Sequence, residues 1–334
     1  MPVVVIAPDK FRGTVTAPEV VAAAGRAARA NDWVPVGVPM ADGGEGTLDA
    51  FGGPNRTTTV TGPLGDQVDA AWRLSRRVAV IESARASGLD LVGGADENDA
   101  VAASTYGTGE LISAALDAGA RRIIVGLGGS ATTDGGLGAL RAMAPLARLR
   151  AVDLIVACDV RTTFVAAADV FAPQKGATPA QVEFLRRRLE RLAEVYLEEH
   201  HVDVRELRGS GAAGGLAGGL AAIGARLADG FELVAEERNL ADHIETADLV
   251  VTGEGYLDDE SFEGKVVGGV VEIATSLGIP VLVVVGGMED GEQLPIPAGV
   301  EVVSLTERFG EDAARSGAAA LIEQVVAERL TGPS

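Results

Sequence analysis

Five short runs dominated by β-branched and other apolar residues, Val3–Ile6, Val34–Val38, Leu249–Thr252, Val281–Val285 and Val300–Ser304, lie towards the two ends of the chain. Runs of this length and composition suit strands buried on both faces of a parallel sheet. Parallel strands need crossovers, and segments with helical spacing supply them. Thr16-Ala-Pro18-Glu19 is a helix start, after which Val20, Val21, Ala24 and Ala27 recur on one face. Glu45–Phe51, Phe262–Ser276 and Glu311–Leu330 read as further helices. The pattern predicts one parallel-sheet domain built from residues 1–56 and 230–334. The middle of the chain has another rhythm: Val68, Ala70, Trp72 and Leu74 alternate with more polar neighbours, as in a half-buried antiparallel strand. Strands at Val78–Ile81, Arg122–Val125 and Asp153–Ala157 follow, with helices at Gly109–Ala118 and Gln181–Glu199. The Arg186–Arg188 cluster reads as a solvated helix face. Residues 57–229 are therefore expected to form a second, inserted α/β domain with a mixed sheet. A length of 334 residues suits two domains.

Charge narrows the function. Lys and Arg total 28 against 48 Asp and Glu, a formal net charge of −20. Such a surface repels polyanions, so nucleic acid and anionic lipid are not expected partners. No apolar run approaches the roughly 18 residues of a membrane span, and the N-terminus lacks the basic start of a signal peptide. Cys158, the single cysteine, has no internal disulfide partner, and the expected location is cytoplasmic. Only three of the 28 basic residues are lysines, Lys10, Lys175 and Lys265. In so arginine-rich a chain, a lysine that remains points to a need for a compact ammonium. All three stand beside glycine-rich or acidic segments.

Glycine makes up 44 residues and clusters between the apolar runs, where it permits positive φ and close backbone approach to a ligand. Gly126-Leu-Gly128-Gly129-Ser130-Ala131 follows a strand and fits the dinucleotide fingerprint. Gly209–Gly214 fits it too, which shows how permissive the template is. Ser130, Thr132, Thr133 and Asp134 after the first match suit phosphate and Mg²⁺ better than a hydride site. An ordinary glycine turn with Asp134 as a helix cap accounts for the same residues. Walker A and serine-hydrolase motifs are absent from the sequence. Asp9, Asp42, Asp159 and Glu254 each follow a predicted strand, where open α/β sheets build their sites. Carboxylates, lysines and glycine loops are the parts of a phosphoryl-transfer site.

These segments resemble the bacterial glycerate kinase family of the two-domain type over essentially the whole chain. The matching stretches are Ile6–Gly13, Pro39–Thr47, Val60–Gly65, Thr105–Glu110, Gly126–Gly136, Ala157–Val160, Phe171–Ala177, Gly211–Gly215, Thr252–Gly255 and Gly264-Lys265. The resemblance implies ATP-dependent, Mg²⁺-assisted phosphorylation of D-glycerate to 2-phosphoglycerate. It also implies a Rossmann- or flavodoxin-like domain beside an inserted α/β domain, with the active site in a cleft between them. On this reading Asp42 or Asp9 is the base, Lys175 serves the transferring phosphoryl group, and Lys265 joins the catalytic set. Lys10, Arg12 and Asp159 are expected to bind substrate. Gly128, Gly129, Ser130, Gly214, Gly215 and Glu254 are expected to bind ATP, and Asp134 and Asp159 the metal. The expected partners are small molecules, with a homodimer allowed for.

The chain also departs from the family pattern. Lys10 and Arg12 occupy positions where the family has a small hydroxyl residue and a lysine. Val160–Ala166 lacks the usual Asn, Pro and Gly, Tyr256 stands where an arginine is typical, and Glu260 stands where a glutamine is common. A loop's worth of sequence is missing around residues 142–150. These changes leave open a kinase for another small hydroxy acid or polyol, and a catalytically silent binding paralogue. A nicotinamide-dependent oxidoreductase using Gly126–Ala131 is the third alternative.

Overall fold

The computed structural model describes residues 1–262, 265–289 and 296–331. The Glu260 side chain and Gly264 lie outside the described parts. The strands are β1 (Val3–Ile6), β2 (Val34–Gly37), β3 (Arg56–Thr61), β4 (Gln67–Ser75), β5 (Val78–Glu82), β6 (Arg122–Gly126), β7 (Asp153–Cys158), β8 (Arg226–Asp229), β9 (Leu249–Leu257), β10 (Val281–Met288) and β11 (Val300–Ser304). They lie in two compact units, one of residues 1–42, 49–51 and 231–334, the other of residues 43–48 and 52–230.

The first unit holds an all-parallel sheet in the order β11-β10-β9-β1-β2. Counted within the unit, that order is 2-1-3-4-5, the flavodoxin-like arrangement, and its switch point lies between β1 and β9. Strand alternation divides the core. Val5, Val250, Val283 and Val285 face the helix Val266–Ser276. Val4, Ile6, Val251, Leu282 and Val284 face the helices Ala17–Ala30 and Glu311–Thr331. Thr16 caps the first of these helices in a reciprocal box with Glu19.

The second unit holds a mixed sheet in the order β3-β4-β5-β6-β7-β8. Its β3–β4 and β4–β5 pairs are antiparallel and the others parallel. The fold class is thus α/β with one parallel and one mixed sheet, as the alternation patterns predict. No described helix is long and apolar enough to cross a membrane.

Three local expectations need correction. Glu45–Phe51 contains only the single helical turn Thr47–Ala50. The preceding backbone is held instead by the buried Glu82 carboxylate, which accepts hydrogen bonds from the Gly46 and Leu48 N–H groups at 3.0 and 2.9 Å. Strands β9 and β10 run on to Leu257 and Met288, pairing Tyr256 with Gly287. Arg188 does not belong to a solvated face, because its guanidinium donates to the Val101 and Thr133 carbonyls.

Candidate active site

The first of two chemically equipped regions is the loop that follows β6. A Cβ on Gly126 would lie 2.7 Å from the Gly43 oxygen, and one on Gly128 would lie 3.0 Å from the Gly44 Cα. Two bare backbones pass each other there, which only glycine permits. Ten residues separate Gly126 from the start of helix Leu137–Ala142. A dinucleotide fingerprint opens a helix directly at its glycines, so this loop lacks that geometry.

Asp134 organises the loop. Its carboxylate accepts from the N–H groups of Thr105, Gly136 and Gly138 at 2.9–3.1 Å and from the Thr105 hydroxyl at 2.9 Å. With both oxygens engaged in these bonds, the side chain ties the Thr105 segment to the start of the helix Leu137–Ala142. Thr105 completes the arrangement by accepting from the Ala139 N–H at 3.0 Å. Changing Thr105 to Val should cost about 2–3 kcal/mol, because a buried N–H and a carboxylate both lose a partner. A urea titration that left the midpoint unchanged would contradict this role.

Lys175 is only 4% exposed, and its Nζ donates to the Thr132 carbonyl at 2.6 Å. Burial pushes its pKa down to about 7, and the nearby Asp134 charge offsets part of that fall. Asn98 ties the two segments together by donating to the Ala131 and Lys175 carbonyls at 3.0 and 2.8 Å. Lys175 lines a pocket of about 350 Å³ with Gly128, Gly129, Ser130 and Asp159. Leu127, Phe171 and Ala213 give the same pocket an apolar wall. Ala213 is held at φ +50°, a left-handed conformation that non-glycine residues seldom adopt.

Gly214 and Gly215 follow Ala213 in the chain. Both have positive φ, and a Cβ on Gly214 would stand 2.0 Å from the Thr132 oxygen. One on Gly215 would stand 2.9 Å from the Gly135 Cα. Both pack against residues 132–136, which requires glycine at these two positions.

The second region lies at the switch point of the parallel sheet. Asp9 follows β1 and accepts from the Lys10 N–H at 2.7 Å, with the Lys10 ammonium 3.9 Å away. Burial raises its pKa to about 6 against the pull of Lys10, and the Asp42 charge adds to the rise. Glu254, near the end of β9, is raised to about 7, chiefly by burial, with Ser261 and Lys265 opposing and Asp9 reinforcing. Its Oε1 is buried without a hydrogen-bond partner among the described residues. Lys265 stands at the N-terminus of helix Val266–Ser276. The structure therefore gathers Asp9, Lys10, Asp42, Glu254 and Lys265 into one electrostatic set. Arg12 is exposed and lines a separate pocket, although Asp9 still feels its charge weakly.

Among the described residues, no group of three or more His, Cys, Asp or Glu side chains is placed to hold a metal ion. A Mg²⁺ brought in by a ligand's own phosphates would need only one carboxylate from the protein. Asp159 is the carboxylate lining the glycine-loop pocket. Sequence reasoning gave no role to Glu82, Asn98 or Thr105 and placed Arg188 on a solvated face. Thr105 lay within a recognisable motif, but the others act through backbone atoms far away in the chain, which leaves no local signal.

The glycerate kinase family model matches residues 4–146 and 144–331. The chain is 39% identical over 340 residues to the glycerate 2-kinase of Escherichia coli (strain K12), covering 90% of this chain and 89% of that one. It is 38% identical over 369 residues to the glycerate kinase of Halalkalibacterium halodurans, covering 97% and 96%. A crystal structure of a protein assigned as glycerate kinase 2 from Salmonella typhimurium LT2 superposes with a TM-score of 0.83. Identity there is 36%, with 98% of both chains covered.

Proposed function

Because the chain belongs to the glycerate kinase family, whose members phosphorylate an alcohol group, we propose that it transfers the γ-phosphoryl group of ATP to the 2-hydroxyl of D-glycerate. The observation that carries this reading is Lys175: a nearly buried ammonium, in a chain with three lysines, lining a glycine-loop pocket. Phosphoryl transfer asks chiefly for positioning and charge neutralisation, and the residues supply both. Backbone N–H groups of Gly128–Ser130 and the Lys175 ammonium hold the phosphates. Mg²⁺, held by the phosphates and Asp159, would neutralise charge on the phosphoryl oxygens. Asp9, with Asp42 beside it electrostatically, accepts the proton leaving the glycerate hydroxyl. Lys10 and Lys265 attract the glycerate carboxylate. The setting is cytoplasmic.

A second reading, in which another small hydroxy acid is the acceptor, is favoured by the segment Val160–Ala166, which departs from the family pattern beside the glycine-loop pocket and carries the exposed Arg161.

The raised and lowered pKa values test the reading directly. A carboxylate base works when deprotonated, so kcat/KM should rise with pH through the Asp9–Glu254 pair at about 6 to 7. Glu254 feels the Asp9 charge, so the apparent value belongs to the two acids together. Lys175 works when charged, so kcat/KM should fall again above about 7. The expected profile is a narrow bell with its maximum near neutrality, and Asp9→Asn should displace the acid limb. A rate that is flat from pH 5 to 9 would contradict the roles of these groups.

A further inference from the structure

We propose that the parallel-sheet unit carries a second small-molecule site, on the sheet face opposite Asp9 and Glu254, and that it takes a nucleoside monophosphate. Val285, the register partner of Glu254, packs with Val250, whereas Phe11 and Ala314 pack with Val251 on the side of the helix Glu311–Thr331 and also line a cavity. A cavity of about 470 Å³ opens on that second side, lined by Arg12, Tyr256, Gly286, Thr306, Glu311 and Arg315. It lies at the carboxyl ends of β9, β10 and β11, the usual place for a ligand in an open α/β sheet. Its volume is in the range of small-molecule sites and far exceeds what a three-carbon acid fills.

Its chemistry favours a nucleotide. The floor is bare backbone, since a Cβ on Gly286 would lie 2.4 Å from the Gly255 oxygen. The Tyr256 ring is 56% exposed and lies over Gly287, offering an aromatic surface for a base. Glu311 provides a carboxylate of the kind that accepts hydrogen bonds from ribose hydroxyls. Arg12 makes no ion pair among the described residues, and Arg315 has only the exposed Glu311 at 3.5 Å. Two guanidinium groups on one cavity suit a phosphate monoester.

The test is equilibrium dialysis of AMP against the full chain. A Lys175→Met background weakens binding in the glycine-loop pocket, and circular dichroism checks folding of each variant. In that background AMP should still bind, Tyr256→Ala and Arg315→Glu should each weaken it at least tenfold, and Tyr256→Phe should retain it. Loss of all AMP binding with Lys175→Met alone would overturn the proposal, as would unchanged binding after both Tyr256→Ala and Arg315→Glu. Neither readout depends on turnover, so the result stands apart from the kinase reading.

Discussion

Replacing Lys175 by methionine should lower kcat at least about 100-fold, which is about 2.7 kcal/mol of transition-state stabilisation, while the protein stays folded. The magnitude is that of a preorganised charge aimed at a phosphoryl group in a site that excludes water. Methionine fills similar space, so the loss would be chemical and not a packing defect. Stability supplies an independent check. In the folded protein burial brings the Lys175 pKa down to about 7 from 10.5. Below pH 7 the folded state must hold a buried charge, a penalty present in full. Between about 7 and 10.5 the unfolded chain holds the proton and the folded chain releases it, so the penalty shrinks as pH rises. Lys175→Met should therefore gain more stability relative to wild type at pH 6.5 than at pH 9.5. Urea midpoints with equal offsets at the two pH values would mean that Lys175 is not desolvated as the structure has it.

Gly214→Ala should cost at least about 3 kcal/mol and abolish activity with it. The methyl group would stand 2.0 Å from the Thr132 oxygen, at a residue with φ +66°. The obstacle is backbone rather than the movable end of a side chain, so the loop itself must shift. That same Thr132 carbonyl accepts the Lys175 Nζ hydrogen bond. A displaced Thr132 therefore releases the lysine as well as straining the helix Ala212–Ala222. Chemical denaturation would register the first effect and steady-state kinetics the second. A variant with wild-type stability would show that residues 132–136 and 213–215 do not pack as described.

The parallel sheet was legible because its strands are buried on both faces and read as continuous β-branched runs. Their true ends were not, since Gly253, Gly255, Gly286 and Gly287 break the apolar pattern while the backbone pairing continues through them. Glu45–Phe51 has helical spacing, yet the Glu82 carboxylate, some thirty-five residues away, engages its N–H groups and overrides local preference. Lys175 was visible through its scarcity, and Asp9 and Glu254 through their places after strands. The packing roles of Asp134, Gly214 and Gly215 were not legible for one reason: a polar or glycine residue in a loop looks the same whether it faces a ligand or holds the loop. Only the donors around the Asp134 carboxylate, and the carbonyl facing Gly214, separate those roles.

The most direct measurement is acceptor-dependent release of ADP from ATP and Mg²⁺ over a panel of small hydroxy acids, with the phosphorylated product identified by ³¹P NMR. The account predicts turnover with D-glycerate and a signal from 2-phosphoglycerate, with both lost in Lys175→Met. ADP release that no hydroxy acid accelerates would contradict it.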